Sequence, residues 1–172
     1  MKKHFTLGLA LFLCSTAPLH ADLRSDHNLN QMSTTYDIAA RSHYSENDVK
    51  GFVYQWFAAF DHQREAGYFL NRLTSPVEMQ YPDFPIKSQD DFLRWYRGVT
   101  DNIVWNTHHL GEISVSESQT GHWDVRYIVN WKAKSKAGQN YDLFVEQKLH
   151  IIRVGDALKI ASLHAEVVEP KG

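Results

Sequence analysis

The sequence predicts an α+β domain in which a curved antiparallel sheet wraps around helices. Residues 123–131 alternate, with two Trp, one Tyr and two Val on one parity and mostly polar residues on the other. This is the side-chain pattern of a strand with one buried face. Apolar residues between Val49 and Phe60 instead recur at helical spacing. The aromatic face of such a sheet must be buried against another element, and the N-terminal helices are the elements available for this.

The helices are predicted from capping residues and apolar periodicity. Ser45 is a typical N-cap followed by acidic residues in the first turn, so the first helix should run from there to about His62. A second short helix is predicted over residues 65–73 and a short strand over 77–81. Ser88 then caps a third helix that also begins with acidic residues.

Four long strands are predicted to follow the third helix. They cover residues 103 to about 117, 122–134, 141–154 and 158–168. The turn at 137–140 contains Gly and Asn, which is typical hairpin chemistry. A strongly bent sheet closed by one long helix forms a cone, and the interior of that cone is the natural ligand site.

Residues 1–21 have the features of a cleavable secretory signal peptide. Lys2 and Lys3 form a short basic region, residues 5–14 form an apolar run, and Ala21 ends a plausible cleavage site. The apolar run is too short to span a bilayer. We therefore expect a periplasmic or secreted protein with no integral membrane segment after cleavage.

The rest of the chain divides into a polar N-terminal extension, residues 22–44, and one domain, residues 45–172. The only cysteine, Cys14, lies in the signal peptide, so the mature chain would contain no disulfide. The sequence has 18 basic and 20 acidic residues, and no basic run remains after cleavage. Nucleic acid is therefore not an expected partner.

The element order and three segments resemble the NTF2-like superfamily, in its SnoaL-like branch. The segments are Trp56-Phe-Ala-Ala-Phe-Asp61, Val77-Glu-Met-Gln-Tyr-Pro82 and Thr107-His-His-Leu-Gly111. The resemblance implies a cone-shaped fold with a long N-terminal helix and two further helices. The superfamily includes steroid isomerases, epoxide hydrolases, polyketide cyclases, dehydratases and members without chemistry, so the fold alone does not choose a function.

A partial resemblance to scytalone dehydratases implies a catalytic set of Asp61, Tyr81 and His109. Tyr81 stands where steroid isomerases place a catalytic aspartate, so the isomerase base is missing. Phe60 replaces a tyrosine of the dehydratases, and the third helix offers no counterpart to their second histidine.

The residues themselves leave alternatives open for this set. Asp61, at the end of the first helix, could orient a histidine for acid–base work or bond backbone amides of the next turn. His108 and His109 are adjacent on a strand and must point to opposite faces. Because Trp105 and Thr107 share parity with His109, we predict that His109 faces the cavity. The alternative is a histidine bonded within the sheet.

Polar rows on the last two strands pose the same question of which face they occupy. Ser162, His164 and Glu166 share one parity, and an apolar row lies opposite them. Glu146 and His150 share parity on the preceding strand. If these rows face inward, the cavity has a polar wall; if they face outward, they are solvated.

Aromatic side chains predict a ligand that is flat or apolar, although most of them must also form the core. Tryptophan and tyrosine favour sites where a polar tip finds a partner. No His-x-x-x-His pattern, cysteine pair or Gly-rich phosphate loop is present, so neither a metal nor a cofactor is expected. The predicted ligand-binding residues are Tyr54, Trp56, Trp95, Trp105, Trp123, Tyr127, Trp131 and His164.

Three functional hypotheses follow. The favoured one is an exported domain that binds a small apolar or aromatic molecule without catalysis, because the catalytic set is incomplete. The alternative is a cofactor-free dehydratase or isomerase that uses Asp61, Tyr81 and His109. A third is an interaction domain that forms a homodimer through the outer sheet face.

Overall fold

The computed structural model describes residues 43–169, so the predicted signal peptide and nearly all of the predicted extension lie outside the described residues. Within these residues the helices are Glu46–Asp61 (α1), Ala66–Leu70 (α2) and Gln89–Asn102 (α3). All three were predicted, with α2 shorter than expected. None of the helices in this part of the chain is long and apolar enough to cross a membrane.

Both long helices begin with the side-chain caps that the sequence predicts. Ser45 Oγ accepts a hydrogen bond from the backbone of Asp48, and the Asp48 carboxylate accepts one from the Ser45 N–H at 2.8 Å. This capping box holds the pKa of Asp48 below its ordinary value. Ser88 Oγ caps α3 in the same way by accepting from the Asp91 N–H at 3.1 Å.

One seven-stranded sheet makes up most of the described chain. The strands are Leu73–Tyr81 (β1), Phe84–Ile86 (β2), Ile103–Leu110 (β3), Ser114–Gln119 (β4), His122–Ser135 (β5), Asn140–Val154 (β6) and Ala157–Val168 (β7). Their order in the sheet is β2-β1-β7-β6-β5-β3, and β4 also pairs with β5. The pairing is antiparallel except between β1 and β7, which are parallel. The α+β class and the curved sheet are therefore confirmed.

The predicted single strand over 103–117 is wrong, because it is interrupted. β3 and β4 pair with successive halves of β5 and are separated by residues 111–113. At the break, the Gly111 N–H donates to the Ile128 carbonyl at 2.8 Å. A Cβ at Gly111 would lie 3.2 Å from that oxygen, so glycine permits the close approach.

The concave face of the sheet carries the aromatic row of β5. Trp123, Val125, Tyr127 and Val129 are all buried there, which confirms the predicted face of this strand. Helix α1 covers this face with its own apolar stripe. Burial of two matched apolar faces is the main term that stabilises such a layered domain.

Trp56 lies at the centre of an aromatic cluster that joins the three helices. Its ring centroid lies 5.3 Å from that of Phe60 on α1, 5.1 Å from that of Phe69 on α2 and 6.1 Å from that of Phe92 on α3. The side chain is 1% exposed, and its Nε1 has no hydrogen-bond partner among the described residues. Trp56 therefore acts through packing.

We predict that Trp56→Ala lowers the free energy of unfolding by about 3–5 kcal/mol, because it leaves a large cavity between the three helices. Denaturant unfolding measures this. The matched control is Tyr54→Ala on the same helix, which removes a side chain that is 53% exposed and should cost about 0.5 kcal/mol or less. A loss below about 1 kcal/mol for Trp56→Ala would contradict its central packing role.

Candidate active site

A cavity of about 390 Å³ opens between α3, the end of β1 and the concave face of β3 and β5–β7. Its walls are mainly apolar and aromatic, and a few polar side chains reach it. Sites of this kind bind small molecules by burial and use the few polar groups to orient them. The lining residues are Phe60, Tyr81, Pro82, Asp83, Phe84, Trp95, Val99, Asn106, His108, Val129, Trp131, Tyr141, Leu143, Val145, Gln147 and Val167.

His108 lines this cavity and forms a hydrogen-bonded pair with Asp61, which lies behind it and is not a lining residue. His108 Nδ1 lies 2.6 Å from Asp61 Oδ1, with 12% of the His108 side chain and 27% of the Asp61 side chain exposed. Because Asp61 is the last residue of α1, the carboxylate comes from the helix and the imidazole from β3. With Nδ1 paired to the carboxylate, the lone pair of Nε2 remains for other chemistry.

Two further contacts fix the end of α1 against β3. Asn106 Nδ2 donates to the Phe60 carbonyl at 3.1 Å, and that carbonyl also accepts from the Gln63 N–H at 3.0 Å. The rings of Phe57 and His108 lie 4.9 Å apart. Contacts from α1 and from β3 therefore hold the Asp61–His108 pair in place, in addition to its own hydrogen bond.

The prediction that His109 faces the cavity is wrong, since His108 does. The sequence argument assumed that Trp105 faces inward, but Trp105 is 46% exposed. The pairing register between β3 and β5 shifts between Ile103 and Trp105, so Ile103 is buried while Trp105 lies on the outer face. Such an irregularity reverses the face of every later residue in the strand, and His109 is consequently exposed.

Tyr81, the third predicted catalytic residue, does reach the cavity. Its ring stacks on that of Trp95 with centroids 4.4 Å apart and planes 12° apart. Burial raises the pKa of its hydroxyl, so the group stays protonated and can donate a hydrogen bond. Its hydroxyl has no hydrogen-bond partner among the described residues.

Sequence reasoning missed Gln147, which lines the same cavity. The Tyr127 hydroxyl donates to Gln147 Oε1 at 2.9 Å, and both side chains are buried. Burial raises the pKa of Tyr127, with a further contribution from the nearby Tyr81. The parity that Gln147 shares with Leu149 and Ile151 could have placed it on the inward face of β6.

The predicted ligand-binding aromatics divide between the cavity wall, the core and the surface. Trp95 and Trp131 line the cavity. Trp56, Trp123 and Tyr127 are buried in the core, with Tyr127 reaching the cavity only through Gln147. The remaining two, Tyr54 and Trp105, are exposed.

His164 lies on the outer face of the sheet, and so do the other polar rows of β6 and β7. Its Nε2 pairs with Glu166 Oε1 at 2.6 Å. Ile160 has the same parity as this row but is buried. The two differ because the register between β6 and β7 shifts between the pairs Ile151–Ile160 and His150–Ser162. Glu146 pairs with Arg126 on the same outer face.

A second histidine group lies at the outer face. His150 Nδ1 lies 2.8 Å from Asp124 Oδ1, and its Nε2 lies 3.2 Å from His122 Nδ1. His150 and Asp124 border an open groove of about 960 Å³ on that face. Among residues 43–169, no group of three or more His, Cys, Asp or Glu side chains is arranged to hold a metal ion.

Comparison with known proteins identifies the fold. No family model and no curated protein matches the sequence, but solved structures do. An NTF2-like superfamily protein from Salmonella enterica serovar Typhimurium has a TM-score of 0.66 at 9% identity, covering 73% of this chain and 92% of that one. The protein therefore has the NTF2-like fold, as the resemblance implied.

Two further solved structures share this fold. A candidate scytalone dehydratase from Novosphingobium aromaticivorans has a TM-score of 0.63 at 14% identity, covering 84% of this chain and 89% of that one. A hexachlorocyclohexane dehydrochlorinase, LinA-type3, from Novosphingobium barchaimii has a TM-score of 0.59 at 10% identity, covering 81% and 90%. At such identities the likeness concerns the fold alone.

We predict that neutral His108 carries its proton on Nδ1, because the Asp61 carboxylate selects that tautomer. Nitrogen NMR of histidine-labelled protein distinguishes the two ring nitrogens. Asp61→Asn should shift His108 toward the Nε2–H tautomer, while exposed His109 should show the same spectrum in both proteins. A His108 that carries its proton mainly on Nε2 in the unmodified protein would overturn this assignment.

Proposed function

We propose that the protein is a cofactor-free lyase that catalyses an elimination on a small, largely apolar cyclic compound, with His108 as the general base. The observation that carries this proposal is the 2.6 Å contact between Asp61 Oδ1 and Nδ1 of His108, a residue that lines a mainly apolar cavity. A base oriented by a carboxylate, with its other nitrogen available, is the arrangement that general-base chemistry needs.

The proposed reaction is a single elimination. His108 Nε2 removes a proton from a carbon of the substrate, and the electron pair of that C–H bond forms a carbon–carbon double bond. The leaving hydroxyl departs from the neighbouring carbon and takes the proton from the His108 imidazolium, which gives water and restores the base. Asp61 stabilises the transient imidazolium, and Tyr81 donates a hydrogen bond to an oxygen of the substrate.

This proposal departs from the hypothesis that the sequence favours, which is binding without catalysis. That hypothesis relied on two departures from the scytalone dehydratases, Phe60 in place of a tyrosine and the lack of a second histidine on the third helix. The contact of Asp61 with His108 offers an oriented base that needs neither of the missing residues. The names of two structural neighbours, a scytalone dehydratase and a dehydrochlorinase, both denote eliminations and support the same class of reaction.

The residues that line the cavity support the proposed class of substrate, a small and largely apolar cyclic compound. Trp95 and Trp131 offer flat aromatic surfaces, and Val129 and Leu143 add aliphatic ones. Burial of the apolar ring surface of a ligand against such walls contributes roughly 25 cal/mol per Å² to the free energy of binding. Charged groups are scarce inside the cavity, so a neutral compound fits it better than an anion or a cation.

We predict that the protein speeds deuterium uptake from D₂O into the carbon next to the carbonyl of 2-tetralone, a neutral two-ring ketone. His108→Ala should lower this rate by about 10²–10⁴-fold, because the base is gone. Asp61→Asn should also lower it, because the base loses its orientation. Proton NMR of the ketone gives the rate directly.

His109→Ala is the matched control for that experiment, since it removes the adjacent imidazole on the outer face and should leave the rate unchanged. If 2-tetralone binds but gains deuterium no faster than in buffer, the proposed base chemistry fails and binding without catalysis stands. Equal losses in His108→Ala and His109→Ala would also count against the assignment.

We further propose that the protein is exported, on the strength of the sequence pattern at residues 1–21. N-terminal sequencing of protein from the periplasmic fraction should give a mature chain that begins at Asp22. An intact Met1 on cytoplasmic material would contradict this. The SnoaL-like branch and a homodimer through the outer sheet face stay predictions.

A further inference from the structure

Two imidazole rings meet on the outer face of the sheet. His122 Nδ1 lies 3.2 Å from His150 Nε2, and the ring centroids are 5.4 Å apart. The two nitrogens therefore lie on the facing edges of their rings. If neither nitrogen carried a proton, two lone pairs would face each other, so the contact requires either a shared proton or a bound cation.

The two histidines come from neighbouring strands, which fixes their separation. In the antiparallel pairing of β5 with β6, His150 stands opposite Asp124 and His122 stands opposite Ile152. His122 and His150 are therefore diagonal neighbours on one face, a position from which ring side chains can touch. Spacing along the chain does not reveal this pair, since the two histidines are 28 residues apart.

Asp124 determines which nitrogen of His150 is available. The Asp124 Oδ1 lies 2.8 Å from His150 Nδ1, so neutral His150 carries its proton on Nδ1 and directs the lone pair of Nε2 toward His122. Histidines that bind a metal ion usually donate their other ring N–H to a carboxylate or carbonyl in this way. Asp124 therefore orients His150 as a ligand.

The separation of the two nitrogens suits a tetrahedral ion. Two imidazole nitrogens that each lie about 2.0–2.1 Å from one Zn²⁺ are about 3.3–3.4 Å apart at the tetrahedral angle. The distance of 3.2 Å between His122 Nδ1 and His150 Nε2 is close to this value. An ion could therefore bind both nitrogens with only a small movement of the side chains.

The surroundings of the pair are open to water. His150 and Asp124 border the groove of about 960 Å³ on the outer face, and His122 lines a separate hollow of about 230 Å³. The His150 side chain is 33% exposed. Since no third His, Cys, Asp or Glu within residues 43–169 is arranged to join the pair, water molecules would complete the coordination of an ion.

We infer that His122 Nδ1 and His150 Nε2 form a binding site for a divalent transition-metal ion such as Zn²⁺, which joins β5 to β6. Imidazole suits Zn²⁺, Ni²⁺ and Cu²⁺, whereas Mg²⁺ and Ca²⁺ prefer oxygen ligands. The site is independent of the proposed function, because it lies on the opposite face of the sheet from the cavity that His108 lines.

Binding of the ion changes the tautomer of one ring. In the metal-free protein, His122 Nδ1 carries the proton that lies between the rings, because His150 has its own proton on Nδ1. When the ion binds, His122 Nδ1 becomes a ligand and the proton of that ring is carried on Nε2 instead. Both imidazoles stay neutral, and His150 keeps its proton on Nδ1.

Calorimetric titration of the protein with ZnCl₂, without an affinity tag, tests the site. We expect one ion to bind per chain. Asp124→Asn should lower the affinity about tenfold, because His150 loses the charged partner that orients it. His122→Ala and His150→Gln should each lower the affinity by more, since a single imidazole no longer chelates the ion. The glutamine of His150→Gln can still donate to Asp124.

His164→Ala is the matched control for these variants. His164 lies on the same face and also pairs with a carboxylate, that of Glu166, so its removal should leave zinc binding unchanged. Far-UV circular dichroism checks that each variant is folded. Titration with MgCl₂ should give no binding at this site, because Mg²⁺ prefers oxygen ligands.

Nitrogen NMR of histidine-labelled protein gives a second, independent measurement. The ring of His122 should change from the Nδ1–H form to the Nε2–H form when Zn²⁺ is added, while His150 stays in the Nδ1–H form. Equal zinc affinity in the unmodified protein, His122→Ala and His150→Gln would overturn the site, and so would a His122 tautomer that zinc leaves unchanged. The contact would then be a simple N–H···N hydrogen bond.

Discussion

Packing of the last two turns of α1 against β3 and β5 is the constraint on which the candidate site depends. Phe57 contacts both His108 and Tyr127, while Phe60 joins the aromatic cluster of the three helices. Because these rings set the separation between helix and sheet, Asp61 ends the helix within hydrogen-bond distance of His108. A rigid core thus supplies the positional precision that a catalytic pair requires.

Polar side chains have different surroundings on the two faces of the sheet. On the outer face, charged side chains pair with one another in water, as Glu146 does with Arg126 and His164 with Glu166, and such pairs stabilise the fold little. On the concave face, the few polar groups sit among aromatic rings, where each hydrogen bond is stronger and each missing one more costly. The same types of residue therefore contribute differently to stability on the two faces of the sheet.

The sequence predicts the elements well and the faces of strands less well. Strict alternation in β5 and the caps at Ser45 and Ser88 each reflect a local rule, and the structure follows them. The faces of β3 and β7 depend on register shifts near Trp105 and Ala161, which arise from the pairing of distant segments. One such shift decides whether His108 or His109 meets Asp61, and no local pattern reveals it.

Unpaired polar atoms have different consequences at the cavity and in the core. Gln147 Nε2 and the Tyr81 hydroxyl have no hydrogen-bond partner among the described residues, but neither is a fully buried atom, so both can be reached from the cavity that the two residues line. The Trp56 Nε1 is also unpaired, but aromatic rings surround it on all three helices. Among the described residues, the fully buried side-chain atoms without a hydrogen-bond partner are Trp56 Nε1 and Arg72 Nε, and neither residue lines the cavity in front of His108. The cavity therefore presents polar groups to a ligand without leaving a fully buried group unpaired in its walls.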